Sequence, residues 1–418
     1  MKYAAYSEYK TSNIGWIRDF PAHWKLTRLK YVANRAEVKV EADEDNPLPY
    51  IGLEQVEPWT GRLIGLDDDL VPTGISNRFE AGDTLFGKLR PYLAKACNVD
   101  FDGLCSSELL VLRGKTYNRD FLLYQLLSHG FINLVDSTTY GSKMPRASWD
   151  FIGICELPLP PLDEQQTIAR FLDAKTAQID ALVAQKQQLI ARLKEKRSAL
   201  IARTVTRGLP PEAAKAAGLE PNPEMKDSGV DWFGFVPIHW MVSQLKWAVM
   251  FQRGHDLPSE QREEGFVPLV TSAGISATHN IAAAKGPGIV TGRYGTIGQF
   301  HLVQDDYWPL NTTLYSIKLH GNSPEFLRYM LEHLSPLVLL HSVKSAVPGV
   351  DRNDLHPTMI ALPPVIEQRA IAAYLDCETD QLDALAARVE SAITRLTEYR
   401  QALITSAVTG KIDVRGLA

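Results

Sequence analysis

The chain contains no run of about 18 apolar residues, so nothing in it qualifies as a membrane-spanning helix. Its opening, MKYAAYSEYK, lacks the apolar core of a signal peptide. Cysteine is scarce, and Cys97, Cys105, Cys155 and Cys377 share no C-x-x-C spacing. That excludes a thiolate metal knuckle and a disulfide framework, and the expectation is reduced, mostly buried thiols in a cytoplasmic protein with no metal site. The ten histidines form no H-x-x-x-H pair. There is no N-P-P-[FY] or D-P-P-[FY], no Gly-rich strand-to-helix loop for S-adenosylmethionine, and no nuclease-like carboxylate–lysine cluster. Basic residues are not in excess: 44 Lys and Arg face 49 Asp and Glu, for a net charge of −5. A uniformly basic coat is excluded, although a local basic groove is not. What remains is an ordinary globular composition, 45% hydrophobic and 22% charged over 418 residues, enough for two to four domains.

One stretch imitates a nucleotide hydrolase. GDTLFGKL (82–89) has the glycine, glycine and lysine spacing of a P-loop, but Leu89 replaces the hydroxyl that would ligate magnesium. Pro91 prevents a helix from opening on Lys88, as a P-loop lysine requires. LDEQ (162–165) imitates a Walker B acid pair but follows prolines instead of ending a strand.

The dominant feature is an internal duplication. Residues 158–206 align without a gap to 361–409, offset by 203, with 25 of 49 positions identical. Looser matches precede it: WIRDFPAHWKLTRLK (16–30) faces WFGFVPIHWMVSQLK (232–246), FLLYQLL (121–127) faces FLRYMLE (326–332), and KMPR (143–146) faces AVPG (346–349). The period far exceeds that of a solenoid. Each half is a variable stretch of roughly 140 residues followed by a nearly repeated one.

The repeated segments carry no Gly or Pro from Glu164 to Arg207 and from Glu367 to Thr409, which predicts two long helices. Asp163 is the expected cap of the first, with Gln166 completing a capping-box-like pattern, whereas Ile366 offers the second a weaker start. Heptad columns place Ile179, Lys186, Leu193 and Leu200 together, with Leu182 and Leu189 beside them. In the second helix they place Leu382, Val389, Leu396 and Leu403 together, with Leu385, Ala392 and Tyr399 beside them. A helix of about 40 residues spans about 60 Å, longer than a domain core, so each stripe is expected to seek the other. An antiparallel pair would put the variable regions at opposite ends, related by a pseudo-two-fold axis. GLPPEAAKAAGLEPNPEM (208–225) reads as the loose connection.

Both variable halves mix β-like runs (LFGKL and LLVLR; GIVTGRY and TLYSIKL) with a helical stretch, predicting an α+β globule. Each presents a strand ending in a basic, aromatic tip: Lys88, Arg90, Tyr92 and Lys95 in one, Arg293 and Tyr294 in the other. Each also has a turn-rich cationic loop, 137–149 with Lys143 and Arg146, and 341–353 with Lys344 and Arg352. The acidic run EADED (41–45) is expected to be a solvated loop. His23 and His239, each between Pro or its neighbour and Trp, read as hydrogen-bonding groups at a domain edge, and Trp24 and Trp240 as core.

L-P-L-P-P-L-D-E-Q (157–165) and A-L-P-P-V-I-E-Q (361–368), each opening a long helix that ends in V-T, together with P-x-H-W in both halves and K-L-R-P-Y (88–92), resemble the DNA-specificity subunit of Type I restriction–modification systems over essentially the whole chain. The resemblance implies two target recognition domains (1–160, and 208–363 including a linker) joined by spacer helices at 161–207 and 364–418. Each domain would read one half of a split, asymmetric site in double-stranded DNA. The helices would dock two adenine-methyltransferase subunits, and motor-nuclease subunits would join. S-adenosylmethionine and ATP would be bound by those partners, and this chain would bind no cofactor and catalyse nothing. The DNA contacts are then expected from Lys88, Arg90, Tyr92, Lys95, Lys143, Arg146, Arg293, Tyr294, Lys344 and Arg352. A coiled-coil scaffold or anti-restriction protein that binds the methyltransferase without reading DNA is the alternative, consistent with the acidic total.

Overall fold

A computed structural model describes residues 3–41, 48–65, 74–114, 117–342 and 349–417. The acidic run lies largely outside them. The chain divides into two compact units, Met1–Gln187 with Ser391–Ala418, and Gln188–Glu390.

In the first unit, a four-stranded antiparallel sheet runs in the order Ala33–Ala36, Leu109–Gly114, Thr84–Gly87, Ala96–Asn98. A second sheet places Lys39–Glu41, Ile75–Phe79, Gly103–Cys105 and Tyr50–Ile51 side by side. The helices Arg119–Leu126 and His129–Asp136 bury Leu122, Leu126, Phe131 and Ile132 in a core with Phe86 and Leu110. The second unit repeats the main sheet with Met250–Arg253, Thr313–Lys318, Gly288–Gly292 and Phe300–Val303, and adds a three-stranded sheet. Its helices are Pro324–His333 and Ser335–Ser342. GDTLFGKL therefore begins as an interior strand, and the residues after it form a 3-10 turn at Pro91–Leu93, so no phosphate loop exists there.

The long helices run Leu162–Arg207 and Val365–Val408. The first begins one residue before Asp163, because Gln165 already donates to the Pro161 carbonyl. Asp163 is thus in the first turn and not its cap. In the first unit Ile168, Leu172 and Ile179 share a core with Leu403, Ile404 and Ala407. In the second, Ile201 and Val205 share one with Ile371 and Leu375. There the helices run antiparallel: Arg197 meets Asp383, and Gly208 lies against Glu367.

The first heptad columns hold, with Ile179, Leu193, Val389 and Leu403 buried. The companion columns do not. Leu182, Leu189, Leu385 and Tyr399 are exposed. The covered positions are one residue later: Val183, Ile190, Arg197 and Thr204, and Thr379, Ala386, Ile393, Arg400 and Ala407. The step from Ile179 is four residues and not three, and either step keeps a helical stripe on one side.

The repeated E-Q dipeptide brackets each helix to its own globule. Glu164, buried, accepts from the Tyr6 hydroxyl at 2.7 Å and lies 2.8 Å from His23 Nε2. Glu367 lies 2.8 Å from His239 Nε2 and accepts from the Trp240 indole at 3.1 Å. Gln165 accepts from the Asn118 amide and donates to Pro160, as Gln368 does with Ser323 and Pro363. About two turns further along each helix, Tyr124 donates to Asp173 and Tyr329 to Asp376, both at 2.7 Å. Trp24 and Trp240 are fully buried. Cys97, Cys105 and Cys155 are buried free thiols that burial pushes up to about 12, well away from a reactive thiolate at neutral pH.

The second unit carries an acid sensitivity. His356 Nε2 accepts the Phe251 backbone N–H at 2.9 Å, so the ring must be unprotonated. Burial lowers its pKa, and nearby Arg352 and Lys246 lower it further against Asp351. Burial also lowers that of His333, whose Nε2 has no hydrogen-bond partner among the described residues. The unfolded chain therefore binds protons that the folded unit refuses, and stability present above the ordinary histidine value near 6.5 is lost as pH falls below it. Between pH 7.5 and 5.5, hydrogen-exchange protection at the Phe251 amide should fall, and His356→Gln, which keeps an acceptor, should flatten that fall. Unchanged protection across the range would refute the assignment.

Candidate nucleic-acid interface

The strand Thr84–Gly87 delivers Lys88 into a backbone ladder. Lys88 N–H donates to Glu108 O and its carbonyl accepts from Ala147 N–H, both at 2.9 Å. Arg90 N–H donates to Pro145 O at 2.8 Å, and Leu89 bridges Arg146. The strand tip and the 137–149 loop, about 50 residues apart in sequence, are thereby zipped into one surface. Arg90 has φ +50, a left-handed conformation that is strained for a side chain of this size, and it is exposed. Lys143 is exposed beyond Gly141, whose φ is +90. Neither Lys88, Arg90 nor Lys143 has an ion-pair partner among the described residues. Tyr92 is exposed beside them.

Two predicted members of the set are engaged elsewhere. Lys95 is half-buried and its ammonium donates to the Leu53 carbonyl. Arg146 is half-buried and grips Glu108, with Nε 3.1 Å from both oxygens and Nη2 at 3.0 Å. Glu108 raises the guanidinium above its usual range. In this arrangement Arg146 braces the loop, and its charge is neutralised.

The second unit builds the same ladder with different side chains. Arg293 N–H donates to Thr312 O at 2.8 Å, and its carbonyl accepts from Val350 N–H at 2.9 Å. Arg293 thus takes the place of Lys88. Its guanidinium sits 4.9 Å from the centre of the Tyr294 ring. A Cβ at Gly349 would lie 2.7 Å from that ring, so a larger residue would displace the Tyr294 ring. Arg352 is exposed and begins a short helix, Arg352–Leu355, that Asp351 caps. Lys344 lies outside the described residues.

Cations held on a rigid backbone ladder can meet phosphate oxygens or guanine edges. Among the described residues, no group of three or more His, Cys, Asp or Glu is placed to hold a metal, and no helix is long and apolar enough to cross a membrane. The strand Met250–Arg253 also reaches this surface, bringing Gln252 and Arg253 beside Arg352. No local signal marked those two, because about 100 residues separate them from Arg352.

Residues 67–192 and 237–395 match the model of a protein family described as the Type I restriction modification DNA specificity domain. A relative, the Type I restriction enzyme EcoDI specificity subunit of Escherichia coli, is 27% identical over 192 residues, 45% of this chain and 42% of that protein. The EcoKI specificity subunit of Escherichia coli (strain K12) is 22% identical over 96% of this chain and 90% of that one. A solved chain from work on complex assembly and conformational transition of the type I R-M system superposes with a TM-score of 0.73 at 19% identity, covering 94% of this chain and 99% of that chain.

Proposed function

Because the chain belongs to the Type I restriction–modification DNA specificity family, we propose that it is the DNA-reading subunit of such a complex, with each unit recognising one half of an asymmetric, bipartite duplex site. The observation that carries this reading is the pair of equivalent ladders bearing unlike side chains, Lys88 and Arg90 in one and Arg293 and Tyr294 in the other. A shared scaffold with different readers suits a site whose halves differ. The scaffold alternative has no use for cations held on equivalent backbone ladders in both units.

In this role the chain supplies binding and not chemistry. Adenine-methyltransferase subunits would bring S-adenosylmethionine, and motor-nuclease subunits would bring ATP. With a net charge of −5, the chain alone is expected to bind DNA weakly, and its partners would contribute much of the phosphate contact. A cytoplasmic location follows from that reading.

Methylome sequencing of a host that expresses the full chain with its methyltransferase should reveal one adenine motif of two unlike halves around a gap of unspecified bases. No motif, or a palindromic one, would refute the proposal. Adding a heptad to each long helix should widen the gap and leave both halves intact, since seven residues add about 10 Å without rotating the stripe.

A further inference from the structure

A polar cleft in the second unit lies between the strand Met250–Arg253, with the Gly254–Asp256 segment after it, and residues Asp351–Asn353. Resting on the DNA-reading role above, we propose that this cleft is the base-reading site of the second unit, with Gln252 and Asn353 as the specificity-determining residues for an adenine edge and Arg352 and Arg293 holding the flanking backbone.

The lining argues for a base edge against other ligands. Small-molecule pockets are mostly apolar, and a phosphate site presents donors only. Here every named wall residue except Gly254 has a polar side chain, and both donors and acceptors are present. The Arg253 guanidinium is held 3.6 Å from Asp256, which also accepts from Asn311. The carboxamides of Gln252 and Asn353 have no hydrogen-bond partner among the described residues. A carboxamide offers the donor–acceptor pair that adenine N7 and N6 require in the major groove.

The cleft is preorganised. A Cβ at Gly254 would lie 2.2 Å from the Leu310 carbonyl, so glycine is required for the segment to pass so close to that backbone. Gly254 N–H donates to Thr313 O at 3.0 Å and His255 N–H to Pro309 O at 2.8 Å. On the other wall Asp351 accepts from the Asn353 amide at 3.0 Å, and Asp354 accepts from the Asp351 amide at 2.8 Å. The cleft is continuous with the cation ladder, since Val350, next to Asp351, bonds Arg293.

The first unit offers a control within the same chain. Leu29 N–H donates to Cys155 O there as Leu245 N–H does to Thr358 O here, so the frame is shared. The positions 203 residues before Arg352 and Asn353 hold Trp149 and Asp150. The frame is kept and the readers change, as unlike half-sites demand.

The test uses the full chain expressed with its methyltransferase, with the host methylome as the probe. Gln252→Ala with Asn353→Ala should relax one or two base positions confined to one half-site, lowering discrimination there about 5- to 150-fold, while the other half stays unchanged. Gln252→Glu, which conserves shape, should move preference at one position from adenine towards cytosine, whose N4 amine needs an acceptor. Thermal melting of each variant within a few degrees of wild type would exclude misfolding. An unchanged motif in both variants, or a uniform loss of methylation with unaltered base preference, would overturn the cleft assignment. A wild-type complex that leaves no bipartite motif would instead overturn the DNA-reading role itself.

Discussion

Cognate duplex affinity falls by about 100-fold or more when Lys88 and Arg90 are both replaced by glutamate, while the far half-site continues to be recognised in the methylome. The expectation rests on geometry more than on charge count. Both residues are fixed at the backbone, Lys88 by Glu108 and Ala147 and Arg90 by Pro145, and neither ammonium nor guanidinium is neutralised among the described residues. Two such contacts with phosphate contribute a salt-dependent term, and reversal converts attraction into repulsion. The milder pair Lys88→Ala and Arg90→Ala should lower the slope of log affinity against log salt by about two. Arg146→Ala is a useful contrast. Its charge is already answered by Glu108, so its loss should loosen the loop and leave the salt slope nearly unchanged. An unaltered slope in the Lys88 and Arg90 variant would remove this surface from the interface.

The largest loss of stability is expected from Arg400→Ala in the first unit, by about 3 kcal/mol or more in urea unfolding. Arg400 is 5% exposed. Its Nε lies 2.9 Å from Asp180 Oδ1, its Nη1 donates to the Trp59 carbonyl at 2.9 Å and its Nη2 to the Thr60 carbonyl at 3.3 Å. Removing it leaves the Thr60 carbonyl without its donor, the Trp59 carbonyl with only the longer bond from Gln401 Nε2 at 3.4 Å, and the carboxylate with only the half-exposed Arg62, 2.7 Å away. It also releases Trp59, whose φ of +66 is costly for a bulky residue and is held in part by these bonds. Arg197, 203 positions earlier, makes the matching ion pair with Asp383 in the second unit but is more exposed, so Arg197→Ala should cost less. Equal losses from the two would show that burial does not set the difference.

The two arginines illustrate how far the linear chain could be read. The duplication, the absence of helix breakers and one heptad column were legible, because a run of strong helix formers and a 203-residue self-match need no knowledge of neighbours. The companion column was misplaced by one residue. Leu182 and Val183 are both apolar, and periodicity alone does not choose between a step of three and a step of four. Arg197 and Arg400 were invisible as seam residues, since a charge on a stripe reads as solvated until a carboxylate is found opposite it. The E-Q dipeptides were visible as repeats but not as brackets, because Tyr6, His23 and Asn118 come from distant parts of the chain.

The same division runs through the candidate interface. Composition and motif placed cations on two loops in each half and excluded a phosphate loop, since Pro91 cannot let Lys88 open a helix. Only tertiary structure decided which cations are free. Lys95 turns to a carbonyl and Arg146 to a carboxylate, while Lys88, Arg90 and Lys143 have no ion-pair partner among the described residues, and Gln252 on a strand and Asn353 on a short helix, far apart in sequence, line one cleft. Local propensity and periodicity are properties of neighbouring residues and can be read in order. Desolvation and ion pairing depend on what the fold brings within a few ångströms, which the order of residues does not contain.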